Sequence, residues 1–139
     1  MAEPSIIDRS AEKAHAWLND VAEQLGTDDH RQAYRVLRAY LHALRDRLPV
    51  DEAAQLAAQL PLLIRGIYYD GWNPSSTPVH YRDLAAFLDR IAADASLEGE
   101  TAASYAVSAM TVVLRRHISP GEIDDVRATL PEELRPILD

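Results

Sequence analysis

The sequence predicts an all-α fold, and three observations carry that prediction. Apolar residues recur at helical spacing along most of the chain, no segment alternates with period two for long enough to make a strand, and the whole pattern is written twice. A shift of 70 residues lays residues 14–69 over residues 84–139 without a gap, and 13 of the 56 pairs are identical. Identity alone is modest in an Ala-rich chain. The apolar exchanges Trp17/Phe87, Val21/Ile91, Leu37/Val107, Tyr40/Met110, Leu48/Ile118, Leu56/Val126 and Ile64/Leu134 hold the register from end to end. The expectation is one all-α domain over residues 1–139, built from two tandem copies of a helical-bundle motif. Each copy has three main helices and one short one; the copies pack about a pseudo-twofold and are joined by a linker at residues 70–80.

The elements follow in order. Ala14, Trp17, Leu18, Val21, Ala22 and Leu25 lie on one stripe of a first helix, as do Leu84, Phe87, Leu88, Ile91, Ala92 and Ala95 in the second half. Gly26 closes the first helix, and Thr27, Asp28 and Asp29 open the second with a capping hydroxyl and acids at the positive end of the dipole. The core face of the second helix is Ala33, Val36, Leu37, Tyr40, Ala43, Leu44 and Leu48, matched by Ala103, Ala106, Val107, Met110, Val113, Leu114 and Ile118. Pro49 and Pro120 lead into a short third helix, where Ser119-Pro120-Gly121-Glu122 reads as a capping box with Pro at the first helical position. That helix stops before Pro61 or Pro131, because the residue preceding proline is pushed out of the α region. One or two further turns end each half, and Tyr81 is expected to start the next helix after the linker.

Composition bounds the function classes. With 139 residues and 47% apolar content the chain can bury a core without staples, and the absence of cysteine removes disulfides, thiolate metal sites and a cysteine nucleophile. The start M-A-E-P-S-I-I-D-R-S has no basic segment, and no run approaches the roughly 20 apolar residues that span a bilayer. A cytoplasmic location without a membrane partner is expected. Twenty-two acids against 14 bases give a formal charge of -8, which repels a phosphate backbone and argues against nucleic acid as a partner.

The repeat serves as an internal control, since a polar residue kept in both halves most simply serves the shared fold. Arg45/Arg115 near the end of the second helix and Glu52/Glu122 in the first turn of the third suit the helix dipoles. Arg65/Arg135 sit in an otherwise apolar short helix, placed to reach orphan carbonyls or an acid. Trp17 is core, because Phe87 occupies the matching position. His15, His30, His42, His80 and His117 show no zinc-ligand spacing, and no phosphate-loop, nucleophile-elbow or metalloprotease motif occurs. No catalytic residue, metal or cofactor is expected, and the protein is read as non-enzymatic.

The linker stands apart. G-I-Y-Y-D-G-W-N-P-S-S-T-P-V-H, residues 66–80, gathers aromatic rings, glycines and prolines, and beyond Tyr69 it has no counterpart in the second half. Residues 70–74 read as a turn and residues 75–78 as an extended polar connection. Two readings compete for Tyr68, Tyr69, Trp72 and Tyr81: they recognise a partner, or they staple the linker to its own domain. A third places a small molecule in a crevice between the halves, with Arg65, Tyr68, Asp70 and His80 as polar contacts. The candidate binding set is therefore Arg65, Tyr68, Tyr69, Asp70, Trp72, His80 and Tyr81. An exposed aromatic patch would also favour a homodimer.

The run L-P-L-L-I-R-G-I-Y-Y-D-G-W-N-P, residues 60–74, followed by Y-R-D-L-A-A-F-L from residue 81, resembles the bacterial domain-of-unknown-function family numbered 2267. The resemblance extends over nearly the whole chain, and the R-G-x-Y-Y-x-G-W run is its most specific part. It implies small helical bacterial proteins with no catalytic residues to carry across. The leading expectation is an interaction or regulatory module, associated with stress physiology, that uses the aromatic seam to meet a protein partner or a second copy.

Overall fold

Ser5 starts the first helix earlier than the repeat indicates. Its hydroxyl accepts from the Asp8 backbone N–H at 3.1 Å while the Asp8 carboxylate accepts from the Ser5 N–H at 3.4 Å, a reciprocal box that fixes the first turn. Helix α1 therefore runs Ile6–Leu25, two turns beyond Ala14, the first residue with a counterpart in the second half. The computed structural model describes residues 5–139; residues 1–4, part of the start read above as lacking a basic segment, lie outside the described residues.

Gly26 ends α1 as expected. Its φ of 69° is in the left-handed region, which glycine enters without a Cβ penalty, and its N–H returns to the carbonyls of Ala22 and Glu23. The cap of α2 (His30–Arg47) falls to Asp29, whose carboxylate accepts from the N–H groups of Arg31 and Gln32; Thr27 instead accepts from the Asp29 N–H. Then follow α3 (Val50–Ala58), α4 (Leu62–Tyr69), a 3₁₀ turn (Pro74–Ser76), α5 (Leu84–Ala95), α6 (Gly99–His117), α7 (Pro120–Thr129) and a closing 3₁₀ segment (Glu132–Leu138). The closing segment is not α-helical where α4 is, because Pro136 stands at the position of Gly66 and has no N–H to donate. The described residues are all-α.

The halves do not sit side by side as two bundles. Helix α1 packs on α2 and on α6, α5 packs on α6 and on α2, and α2 meets α6, so helices from both halves alternate around one core. The reason lies in α2, where residues 39–45 are buried without interruption and so face neighbours in every direction. At one end α3 packs on α7; α4 lies against α1, α2 and α3, and the closing 3₁₀ segment lies against α5, α6 and α7. Each of these packings has its counterpart under the 70-residue shift. In the centre Tyr40 meets Phe87 edge to face, with centroids 6.2 Å apart, and its hydroxyl donates to the Ile137 carbonyl. Trp17 is buried and stacks on His117 at 4.6 Å.

Glu122 departs from its expected role. Ser119 supplies half of the box, its hydroxyl accepting from the Glu122 N–H at 3.2 Å, but its own N–H donates to Gln59 Oε1. The contact of α3 with α7 turns the Glu122 carboxyl toward Glu52, and both residues are only 8% exposed. Burial first, then the hydrogen bond and charge of Glu52 and the charge of Asp125, push Glu122 up to about 7. Two carboxylates at close quarters cannot both ionise cheaply, so the pair holds a proton.

The sign of the pH dependence follows. With the folded value raised, stabilisation from the pair is complete below the ordinary value of 4.5 and is lost as pH rises through about 7. Thermal melts between about pH 5 and pH 8 are expected to fall with pH, and Glu122→Gln to flatten that slope and gain on the order of 1–2 kcal/mol at the alkaline end. Wild-type and variant curves with the same slope would show that the pair does not titrate in this range.

Candidate functional site

The last two turns of α2 hold the linker at both ends. Arg45, 3% exposed, donates through Nη1 to the Tyr68 carbonyl at 2.7 Å and the Asp70 carbonyl at 3.0 Å, and through Nε and Nη2 to the two carboxylate oxygens of Asp46. Asp46 Oδ2 also accepts from Arg90 of α5 at 2.6 Å, and the Asp46 carbonyl accepts from the Val79 N–H at 2.8 Å. Burial pushes the Asp46 carboxyl up, but the hydrogen bonds and charges of Arg45 and Arg90 outweigh it and hold the group below its ordinary value. His42, one turn earlier, lies 2.7 Å from the Ile67 carbonyl. Burial lowers its pKa more than that hydrogen bond raises it, and the charges of Arg45 and Arg38 lower it further, so the neutral ring donates to the carbonyl. The end of α4, the two ends of the linker and α5 are thus tied to one helix terminus.

The rings run outward from the core. Tyr68 is fully buried and its hydroxyl donates to the Ala53 carbonyl at 2.8 Å; Tyr69 meets it edge-on at 5.3 Å and stacks on Trp72 at 5.2 Å. Trp72 is half-buried against the core, its Nε1 enclosed without a protein acceptor. Tyr81 lies outside the helix it was expected to start. Helix α5 begins at Leu84, because the Asp83 carboxylate accepts from the Ala86 N–H at 2.8 Å and makes the stronger cap. The Tyr81 phenol is pushed up by burial, which the neighbouring Arg90 and Arg47 charges only partly offset.

The polar candidates disperse. Arg65 donates to the carbonyls of Ala57 and Leu60, capping the end of α3, and exposed Asp70 pairs with Arg38 at 3.2 Å. These contacts, together with the burial of Tyr68, leave no crevice in which Arg65, Tyr68, Asp70 and His80 converge. His80 lines a pocket. It is an open cleft of about 430 Å³ beneath the linker, whose other polar walls are Arg47, Ser75, Ser76, Thr77 and Arg82.

The cleft is shaped by local turn chemistry. Asn73 Oδ1 accepts from both the N–H and the hydroxyl of Ser75, Thr77 donates to the Pro74 carbonyl, and the Thr77–Pro78 peptide is cis. Val79, pinned to Asp46, brings the segment back against α2. Arg47 is 8% exposed, and its Nε has no protein acceptor. Burial lowers its pKa; Tyr81 raises it slightly and Arg82 lowers it again. Among the described residues no acid lines the cleft. Arg47, Arg82 and the hydroxyls are absent from the candidate set read from sequence, where Arg47 faces His117 in the repeat and looks like one more base at a helix end. The available signal is three successive hydroxyl residues in the one long segment without a counterpart.

Residues 14–137 match the family model described as an uncharacterized conserved protein (DUF2267). A search of the curated proteins finds no match. Among the described residues no helix is long and apolar enough to cross a membrane.

Two substitutions test the linker's attachment. Trp72→Ala is expected to cost about 2–3 kcal/mol in chemical denaturation, since it removes a ring stacked on Tyr69 and packed on the core. Asp46→Asn should cost about 3 kcal/mol or more by leaving Arg45 and Arg90 without their shared anion. Unchanged midpoints would mean that the linker is not fastened through these groups.

Proposed function

We propose, from the premise that the chain belongs to the DUF2267 family, that it is a non-enzymatic bacterial cytoplasmic module that binds a small molecule in the cleft beneath the linker. The cleft carries this reading: about 430 Å³ falls in the range of small-ligand pockets, and its polar groups converge from the end of α2 and from the linker. Its walls pair no nucleophile with a base, which supports binding over catalysis. Duplication of a single motif supplies the frame, and the linker, which has no copy, supplies the site. A screen of small polar compounds by amide chemical shifts is expected to move resonances of residues 75–82 together. Ligands that bind the protein but shift only other residues would overturn the assignment.

A second reading, recognition of a protein partner or a second copy, is favoured by a different surface from the aromatic seam. Ile6 is 72% exposed and Leu62 52%, on one shallow groove between α1 and α4, with Ile7 and Leu63 beside them. If this edge mediates association, Ile7→Asp with Leu63→Asp should abolish dimer sedimentation. A wild type that sediments as a monomer at high concentration would remove self-association from consideration.

A further inference from the structure

The charge distribution around the linker is uneven. Arg45 and Arg47 stand at the end of α2 and Arg90 on its neighbour α5; Asp46 is taken up by Arg45 and Arg90, and Asp94 pairs with Arg90 as well. Arg47 is left more than nine-tenths buried with no hydrogen bond and no ion pair to any described residue, its Nε is enclosed, and the charge of Arg82 disfavours its ionised form. Arg82 is exposed at the mouth of the same cleft and also has no ion pair. Buried guanidinium groups are otherwise paired, because removing one from water without a counter-charge is costly. Two uncompensated cations on one concave surface, in a protein whose formal charge is -8, mark a site whose missing partner is an anion.

The hydroxyls narrow the class. The Ser75 and Thr77 hydroxyls already donate within the turn and offer only lone pairs, whereas the Ser76 hydroxyl, whose backbone N–H alone is bonded, to the Asn73 carbonyl, has no partner among the described residues and can donate. Two guanidinium forks and a hydroxyl donor match the oxygens of a phosphate better than those of a carboxylate. Charge agrees: a phosphate monoester carries about -1.5 to -2 near neutral pH, against two arginines, while a carboxylate would leave one cation unmatched. Lone pairs on Ser75 and Thr77 suit the hydroxyl groups of the esterified molecule. We propose that the cleft binds a phosphate monoester of a small polyol-like molecule, its phosphate held between Arg47 and Arg82 and its hydroxyls received by the linker. This rests on the reading of the cleft as a small-ligand site.

The test titrates the intact protein, at low ionic strength, with glycerol 3-phosphate, inorganic phosphate, acetate and glycerol, following the amides of residues 75–82. Glycerol 3-phosphate should bind at least about tenfold more tightly than acetate. Arg82→Gln, at an exposed position, should weaken it by about tenfold. Arg31→Gln removes the same charge from the opposite end of α2, roughly 24 Å away at 1.5 Å per residue, and should change affinity by less than about twofold. Arg47→Gln should abolish binding, with its fold checked by the dispersion of the same spectrum. Equal affinities for acetate and phosphate, or equal losses in the Arg82 and Arg31 variants, would overturn the proposal. So would tighter binding of inorganic phosphate than of the ester. If glycerol or other neutral compounds shift the cleft amides and phosphates do not, the anion assignment falls and the cleft remains a ligand site; if nothing shifts them, both fall.

Discussion

The guanidinium of Arg45 is the tie on which the linker region depends. The last carbonyls of a helix have no partner within it, and those of α4 fall where the chain leaves regular structure. Arg45 reaches across from α2 and satisfies the Tyr68 and Asp70 carbonyls with one nitrogen while its other two hold Asp46. The second half uses the same device: Arg115 donates through Nε and Nη2 to the Leu138 carbonyl at the corresponding place. Both arginines stand in the last turn of their helices, where a cation suits the dipole, and their donors do a second job. They fasten the last element of each half to its second helix.

The halves part company one residue later. Asp46 stands where the second half has Arg116; its carboxylate gathers Arg45 and Arg90, and its backbone carbonyl accepts from the Val79 N–H. The main-chain bond from Val79 fixes where the linker returns to the body, and with it the shape of the cleft. The Asp46 carboxylate is taken up by Arg45 and Arg90. Arg47 is buried by the returning segment yet receives no acid from it, so the interaction that builds the cleft leaves its electrostatics unbalanced.

Burial shapes the aromatic cluster. Tyr68 spends its hydroxyl on Ala53 and its ring in the core; Tyr69 and Trp72 continue the stack outward and are half-covered. Rings engaged in this way hold the linker on its own domain. The most exposed large aliphatic residues, Ile6, Ile7, Leu62 and Leu63, lie elsewhere, on α1 and α4.

Much of the fold was legible because helix formation is decided within a few residues. Stripe positions such as Trp17, Val21, Phe87 and Ile91, the glycine at 26 and the stop before Pro61 report i to i+4 geometry, and each lies where its local chemistry put it. Where two local signals competed, as for Thr27 against Asp29 or Tyr81 against Asp83, the residue with the better acceptor took the cap. The site was far less legible: of its polar walls, only His80 stood among the candidates. The sequence by itself determined the all-α class, the helix spacing and the singular status of the linker. Tertiary structure alone decided that the helices of the two halves alternate, that Glu52 meets Glu122, and that Arg47 is enclosed beside Arg82 without an acid. Periodicity and capping are short-range, whereas the burial of a charge depends on which distant segments cover it, and no spacing in the sequence records that.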